Sequence, residues 1–301
     1  LHGLYNPTSP NIQSIRKIPG LTPILFVVLW STGFIGAKYG LPYAEPFTFL
    51  AIRFTMVVAL LALIVAATKP VWPSTPLHWI HSAVVGLLIH GVYLGGVFAA
   101  LHAGVSPGVS ALIVGAQPLL SATLVGRFTG ERVTTNQWLG LVLGLTGVAL
   151  VVWNRLDTTD TATIGFVFNA FALMGITIGT LYQKRFVADT DLRSSGFIQY
   201  SAALIMMLLL AFNFETRVVE WTAEFIFALA WLSLVLSLGA VYLLYLLIRR
   251  GTATRVTSWF YLVPPVTALM AFLLFDEQLG LIAIAGMALT VTAVALVNRR
   301  Q

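Results

Sequence analysis

The sequence predicts an all-α integral membrane protein, with ten transmembrane helices arranged as two inverted five-helix repeats and both termini cytoplasmic. Three observations carry that prediction. First, of 301 residues, 58% are hydrophobic and 9% charged, with a mean hydropathy of +0.90. A soluble chain carries about a quarter charged residues, so this composition leaves no water-exposed surface to build. Second, a shift of 146 positions brings the two halves into register without a gap. Lys38 falls on Lys184, Pro118 on Pro264, Glu131 on Glu277, Gly140 on Gly286, and Val148-Ala149-Leu150-Val151 on Val294-Ala295-Leu296-Val297. Such internal self-similarity governs the whole fold. Third, each half holds an odd number of apolar segments, so the second half must lie upside down relative to the first.

The segments follow in order. A membrane helix needs about 20 mostly apolar residues. The stretches that qualify are about 21–39, 46–68, 77–101, 106–128, 136–153, 163–186, 192–213, 224–248, 253–275 and 279–298. Turn and breaker residues separate them: Pro42 and Pro46, then Pro70, Pro73 and Pro76, then Asp157 to Asp160, then Gly251. The connecting loops are too short for a soluble domain. Residues 1–18 read as a polar tail that resembles neither a cleavable signal nor a folded unit. The chain then divides into a first repeat over 19–157 and a second over 158–301.

Orientation follows from the basic residues, which collect on the cytoplasmic side. With the N-terminus inside, Arg16, Lys17, Lys69, Arg127, Arg132, Lys184, Arg185, Arg193, Arg249, Arg250, Arg255, Arg299 and Arg300 all fall inside. Only Lys38, Arg155 and Arg217 fall outside, and Arg53 lies within a span. The acids run the other way, with Glu131, Asp189 and Asp191 inside and the remaining carboxylates outside. This distribution accounts for the net charge of +6 as a membrane-orienting bias and argues against nucleic-acid binding. The chain has no cysteine, which excludes disulfides, thiolate metal sites and a cysteine nucleophile.

Pro118 and the pair Pro264-Pro265 interrupt the fourth and ninth spans at matched positions. Proline removes a backbone donor and clashes with the preceding turn. Interrupted helices at equivalent points of two inverted repeats mark a transporter's substrate site; the alternative is a kink that only sets curvature. Gln117 beside Pro118 is polar at mid-depth and needs a partner. His90 is the one histidine deep in a span, and Tyr93 follows at i+3 on the same face. An intramembrane ionisable group is a functional candidate by default, against the reading of a neutral histidine bonded to a carbonyl. His78, His81 and His102 lie at span ends, where solvation explains them. Arg53 lies about 10 Å below the outer boundary at 1.5 Å per residue. It either receives a substrate carboxylate or, as a structural group, snorkels outward or binds helix-end carbonyls, with Glu45 as a candidate partner. Trp30, Trp259, Tyr242 and Tyr245 lie deeper than the interfacial tryptophans Trp72, Trp79, Trp138, Trp153 and Trp221. They are candidates for an asymmetric pocket or for ordinary packing. Positions where the repeat fails, such as His90 opposite Leu236, Arg53 opposite Gln199 and Trp259 opposite Ile113, are where a symmetric scaffold gives way to a directional site. Gly140, Gly144 and Gly147 form a small-residue packing stripe. Glu131 and Glu277 read as structural carboxylates holding a loop to the next helix.

With these residues in view, the chain resembles the drug/metabolite transporter superfamily in its ten-helix form with two EamA-type repeats. The resemblance covers about 20–300 and rests on Leu29-Trp30-Ser31-Thr32-Gly33-Phe34 and Ala51-Ile52-Arg53-Phe54. It rests further on Gln117-Pro118-Leu119-Leu120 followed by Gly130-Glu131, and on Leu262-Val263-Pro264-Pro265 followed by Asp276-Glu277. Asp276 departs from the family's usual glycine, and Gln199 stands where the first repeat has Arg53. The resemblance implies a secondary transporter of the bacterial plasma (inner) membrane, most like the amino-acid exporters of the YddG kind, working by alternating access without enzymatic activity. Its partners are a small-molecule substrate, an amino acid or related metabolite, and the lipid bilayer; the chain is a monomer or homodimer, and no cofactor or metal is expected. Multidrug, nucleobase or sugar export is the alternative, and a channel is the alternative of another class. No Asp or Glu lies in the middle of any span, so the mechanism expected is facilitation or weak proton coupling, with His90 as the proton candidate. The expected substrate contacts are Trp30, His90, Tyr93, Gln117, Tyr242 and Trp259. Pro118, Pro264, Pro265 and Arg53 are the helix-break and gating residues.

Overall fold

The computed structural model describes residues 21–105, 107–152, 163–275 and 280–298. The N-terminal tail, Trp153, Arg155, the acidic stretch 157–160, Asp276, Glu277 and the C-terminal arginines lie outside the described residues. Among the described residues every regular element is helical, and the single β-type contact is an isolated antiparallel bridge between Ala44 and Val219.

The first half runs α1 (Leu21–Gly40), α2 (Pro46–Thr68), α3 (Pro76–His102), α4 (Pro107–Val114), α5 (Gln117–Thr129) and α6 (Thr135–Val152). The second runs α7 (Thr163–Val187), α8 (Leu192–Phe214), α9 (Ala223–Arg250), α10 (Ala253–Ser258), α11 (Val263–Phe275) and α12 (Leu281–Asn298). Six of these, α2, α3, α7, α8, α9 and α12, are long and apolar enough to cross a membrane. Shorter apolar stretches occupy Leu21–Ala37 of α1 and Thr135–Val151 of α6.

Local chemistry sets the helix starts. Pro46 and Pro76 occupy first helical positions, where a missing N–H costs nothing. Thr75, Thr222, Thr252 and Asp191 cap α3, α9, α10 and α8 through their side-chain oxygens. The stretches 106–128 and 253–275 are broken beside their prolines, where the sequence places the interruptions. Chain 115–116 leaves the helix before Pro118 enters the first turn of α5. A 3₁₀ turn, Trp259–Leu262, precedes Pro264 and Pro265 in α11. In both places the proline nitrogen cannot donate to the preceding turn.

The halves interlock. α2 packs on its repeat mate α8, and α6 on its mate α12. The glycine stripe serves the second contact. A methyl added at Gly147 would lie 2.8 Å from the Gly286 carbonyl oxygen, and one at Gly286 would lie 2.6 Å from that of Gly147. The stripe therefore packs within the bundle.

Loops at the two ends are bound differently. At one end, Lys184 Nζ donates to the Ile248 carbonyl at 2.9 Å and to that of Gly251, and Arg185 donates to the Phe128 carbonyl. Glu131 accepts from the Ala253 N–H at 2.9 Å, so it holds the start of α10 and not the adjacent α6. At the other end, Glu215 accepts from the N–H groups of Phe47 and Thr48 at 2.8 and 2.6 Å, capping α2 from the far repeat. Glu45 reciprocates by accepting from Thr216 N–H at 2.7 Å and Thr216 Oγ1 at 2.6 Å. Glu45 is thus committed to the α8–α9 connection, not to Arg53.

Candidate functional site

The two longest helices, α3 and α9, are repeat mates, and each carries a π-helical stretch at its centre: Leu87–Leu94 and Trp231–Ala240. A π segment widens the turn and shifts the side-chain register, and it recurs at functional sites. Here Ser237 Oγ donates to the Leu232 carbonyl five residues back, in the π spacing, at 3.1 Å. The two stretches bring His90, Tyr93 and Leu94 together with Leu236 around a central cavity of about 30 Å³. Its walls also include Trp30, Phe34, Arg53 and Phe98. That volume holds a water molecule and little more, so the site is contracted. A second void of about 10 Å³ lies beyond Trp30 and Tyr93, against Gly115 and Pro264 at the two helix breaks.

Arg53 is fully buried and does not snorkel. Its Nε and Nη2 donate to one acceptor, Ser237 Oγ, at 3.1 and 2.9 Å, and its Nη1 has no partner. Among the described residues the recorded ion pair is Arg193–Asp191 at 2.6 Å, far along the chain from Arg53. A guanidinium remains charged in proteins and offers five donors, so this cation is under-satisfied where desolvation makes that costly.

His90 is also fully buried. Its ring stacks on Tyr200 with centroids 4.0 Å apart, and Nε2 lies 3.3 Å from the Tyr245 hydroxyl. Tyr245 has one hydroxyl hydrogen, which goes to Gln199 Oε1. The network therefore assigns the proton of a neutral His90 to Nε2, leaving Nδ1 a bare, unpartnered acceptor. Gln199 Nε2 continues to Ser195 Oγ at 2.8 Å, and Ser195 Oγ to Ser82 Oγ at 3.3 Å. Tyr200 donates to the Ser237 carbonyl at 3.1 Å. Trp30 Nε1 donates to the Tyr93 hydroxyl at 3.3 Å, their rings near-parallel at 6.3 Å.

A vestibule of about 1010 Å³ opens between the loops at 71–74 and 188–191, the start of α8 and the end of α9. Along α3, His78 and His81 line the vestibule and His90 the cavity; along α9, Tyr242 and Leu246 line the vestibule and Val241 the cavity. The Ser82–Ser195–Gln199–Tyr245–His90 chain spans the depth between them. At the opposite end Phe49 packs on Phe98 and Phe225, at 5.5 and 5.3 Å, beneath the Ala44–Val219 bridge.

Of the residues singled out from sequence, Trp30, His90, Tyr93 and Arg53 meet in the cavity, and Pro264 borders the void behind it. Tyr242, half exposed, belongs to the vestibule. Trp259 packs between two core clusters. Gln117 is buried against Thr180 Oγ1 at 3.3 Å with its Oε1 unpartnered. Pro118 is buried at the start of α5, and Pro265 is buried in α11. His81 is not simply solvated: Nδ1 lies 2.7 Å from the Tyr182 hydroxyl and the ring stacks on Phe186 at 4.6 Å. Ser237, Tyr200, Ser195 and Gln183, whose Oε1 accepts from Gln199 Nε2 at 3.3 Å, escaped the sequence reading; a Ser195–Gln199 pair at i, i+4 inside an apolar span was the available signal.

This geometry of matched, interrupted helices around a central site has a known counterpart. The model of the EamA-like transporter family matches residues 19–153 and 163–299. The chain belongs to the EamA-like transporter family. Its members are transporters and not enzymes. A Bacillus subtilis transporter, YvbV, is 27% identical over 91% of this chain and 90% of its own length. An Escherichia coli K12 protein described as a probable amino-acid metabolite efflux pump is 27% identical over 91% and 92%. The Escherichia coli inner membrane transporter YedA is 24% identical over 94% and 92%. A solved crystal structure superposes with a TM-score of 0.74 over 92% of this chain and 96% of that one, at 21% identity, a likeness of fold.

Proposed function

We propose that this EamA-family transporter exports small metabolites, amino acids first among them, across the bacterial plasma membrane by alternating access. The observation that carries the reading is the contracted central cavity, faced by a wide vestibule at one end and by packed phenylalanines at the other. In this reading α4 with α5, and α10 with α11, are single broken spans. The chain then has ten spans in two repeats, 19–157 and 158–301, with both termini cytoplasmic. The vestibule, ringed by Arg185, Arg193, Arg249 and Arg250, is the cytoplasmic mouth, and the conformation faces inward. Trp30, His90 and Tyr93 contact the substrate, and the breaks at Pro118 and Pro264-Pro265 let the walls move. The name of the Escherichia coli relative supports amino-acid metabolites as the substrate class. The lack of a carboxylate deep in any span supports facilitation or weak proton coupling, through His90 if at all.

Counterflow by purified protein in liposomes, across a panel of amino acids and quaternary cations, tests this. Saturable counterflow of amino acids, changing little with an imposed pH gradient, is expected. Non-saturable flux indicates a channel, and preference for quaternary cations a multidrug carrier; a strong dependence on the gradient would falsify the uncoupled mechanism.

A further inference from the structure

We propose that the central site takes its substrate as an organic monoanion, with a carboxylate docked on Arg53 Nη1. This rests on the reading of the cavity as the transport site. It narrows the class from amino acids in general to related carboxylates without a cationic nitrogen, such as N-acylated amino acids, whose nitrogen is a neutral amide, or 2-oxo acids, which have none.

Arg53 supplies a permanent positive charge on the cavity wall, and one of its two terminal amino groups is left without an acceptor. Two donors already share Ser237 Oγ, so the guanidinium is held in place while Nη1 stays available. Guanidinium suits carboxylate because its N–H groups match the oxygens in a plane. An ammonium finds no charged partner, since the bare acceptor His90 Nδ1 is neutral. Among the described residues no Asp or Glu lines the cavity. The Trp30 and His90 faces are engaged: Trp30 is enclosed by Phe26, Phe260 and Tyr93 at 5.2, 5.3 and 6.3 Å, and His90 is stacked on Tyr200. The approach carries the same sign. Arg185, Arg193, Arg249 and Arg250 line the vestibule against Asp189 and Asp191, and Asp191 is already bound to Arg193. A mouth of net positive charge raises the local concentration of anions.

The test compares four probes sharing one side chain in counterflow with full-length protein in liposomes: N-acetylphenylalanine, phenylpyruvate, phenylalanine and phenylalanine methyl ester. The two monoanions are expected to half-saturate at about a tenth of the phenylalanine concentration or less, with no competition from the ester. Arg53→Gln should raise half-saturation for the anions roughly ten- to a hundredfold and remove their advantage, while Arg53→Lys keeps part of it. The wild-type comparison stands even where R53Q does not fold. Phenylalanine equal to or better than the anions, competition by the ester, or an anion preference that survives in R53Q would each overturn the inference and leave transport intact. Stabilisation by chloride without competition from any carboxylate would make Arg53 an inorganic-anion site and likewise overturn it. Absence of counterflow with all four probes, with amino acids and with quaternary cations would overturn the transport reading as well.

Discussion

At the scale of single residues, the site is a set of polar groups whose hydrogen bonds constrain one another. Tyr245 is the hub, because its hydroxyl donates to Gln199 and accepts from His90. Replacing it with Phe keeps the ring and leaves two buried groups without partners. That should cost about 1–3 kcal/mol, read as a lower melting temperature of the purified protein in detergent; an unchanged temperature would mean the two groups find other partners. His90→Ala removes both the Tyr200 stack and the Tyr245 bond. Counterflow should fall at least roughly tenfold while expression is maintained, and unchanged flux would move the site off α3. His90, Tyr93, Trp30 and Arg53 were legible in the sequence because large polar or ionisable groups deep in an apolar span are conspicuous. Ser237 and Tyr200 were not. A serine bonds to its own helix as readily as to a partner, and what it meets across the bundle depends on how α2 crosses α9. Glu45, a candidate partner for Arg53 from sequence, is taken instead by Thr216 of the α8–α9 connection, a contact hidden for the same reason.

At the scale of elements, breaks and caps divide by how local their chemistry is. The interruptions before α5 and within the stretch holding α10 and α11 were readable because proline acts on its own turn. The π stretches of α3 and α9 carry no such residue, so periodicity alone could not place them. The exchange of Glu45 and Glu215 joins residues about 170 positions apart and was equally hidden. It has a pH signature. The Thr216 hydroxyl, aided by the Thr216 and Arg217 N–H groups and opposed by partial desolvation, holds the Glu45 carboxyl below its ordinary value. A carboxyl depressed in the folded state adds stability above its unfolded pKa, about 4.3, and loses it as pH falls through the lower folded value. The melting temperature should therefore hold from pH 7 to about 5 and fall below. Glu45→Gln should flatten that fall in part, leaving the contribution of Asp191, whose carboxyl Arg193 also depresses. A profile identical to wild type would remove Glu45 from the linkage. Glu215→Ala uncaps α2 and should cost about 1 kcal/mol at pH 7 by the same melting measurement.

At the scale of the whole molecule, the 146-residue offset made the pairing of halves visible, but not which mates touch. The structure puts the mates α2 and α8 together, and likewise α6 and α12, while non-equivalent helices also meet across the halves, α3 with α7 and α8 and α1 with α9 and α11. A pairing of equivalents can be traded for a second arrangement of similar quality, the requirement for alternating access around a fixed site. In the arrangement seen, the Ala44–Val219 bridge and the packed phenylalanines close the path to the cavity at one end, beside a groove of about 540 Å³ between α1 and the start of α9, and the vestibule opens at the other. If transport requires the closed end to part, fixing it must stop turnover. Residues opposed in an antiparallel bridge have Cα atoms about 4.5–5.5 Å apart, within the span of a disulfide, about 4.4–6.8 Å. Residues 1–301 include no cysteine, so a bond formed in the double variant A44C/V219C of this chain is unambiguous. Oxidation should reduce counterflow to about a tenth or less of that of the reduced protein, in proportion to the fraction cross-linked, and reductant should restore it. Each single-cysteine variant should be indifferent to oxidant. Cross-linked protein that turns over at the reduced rate would show that this end need not open, and the substrate would have to leave the cavity by another route.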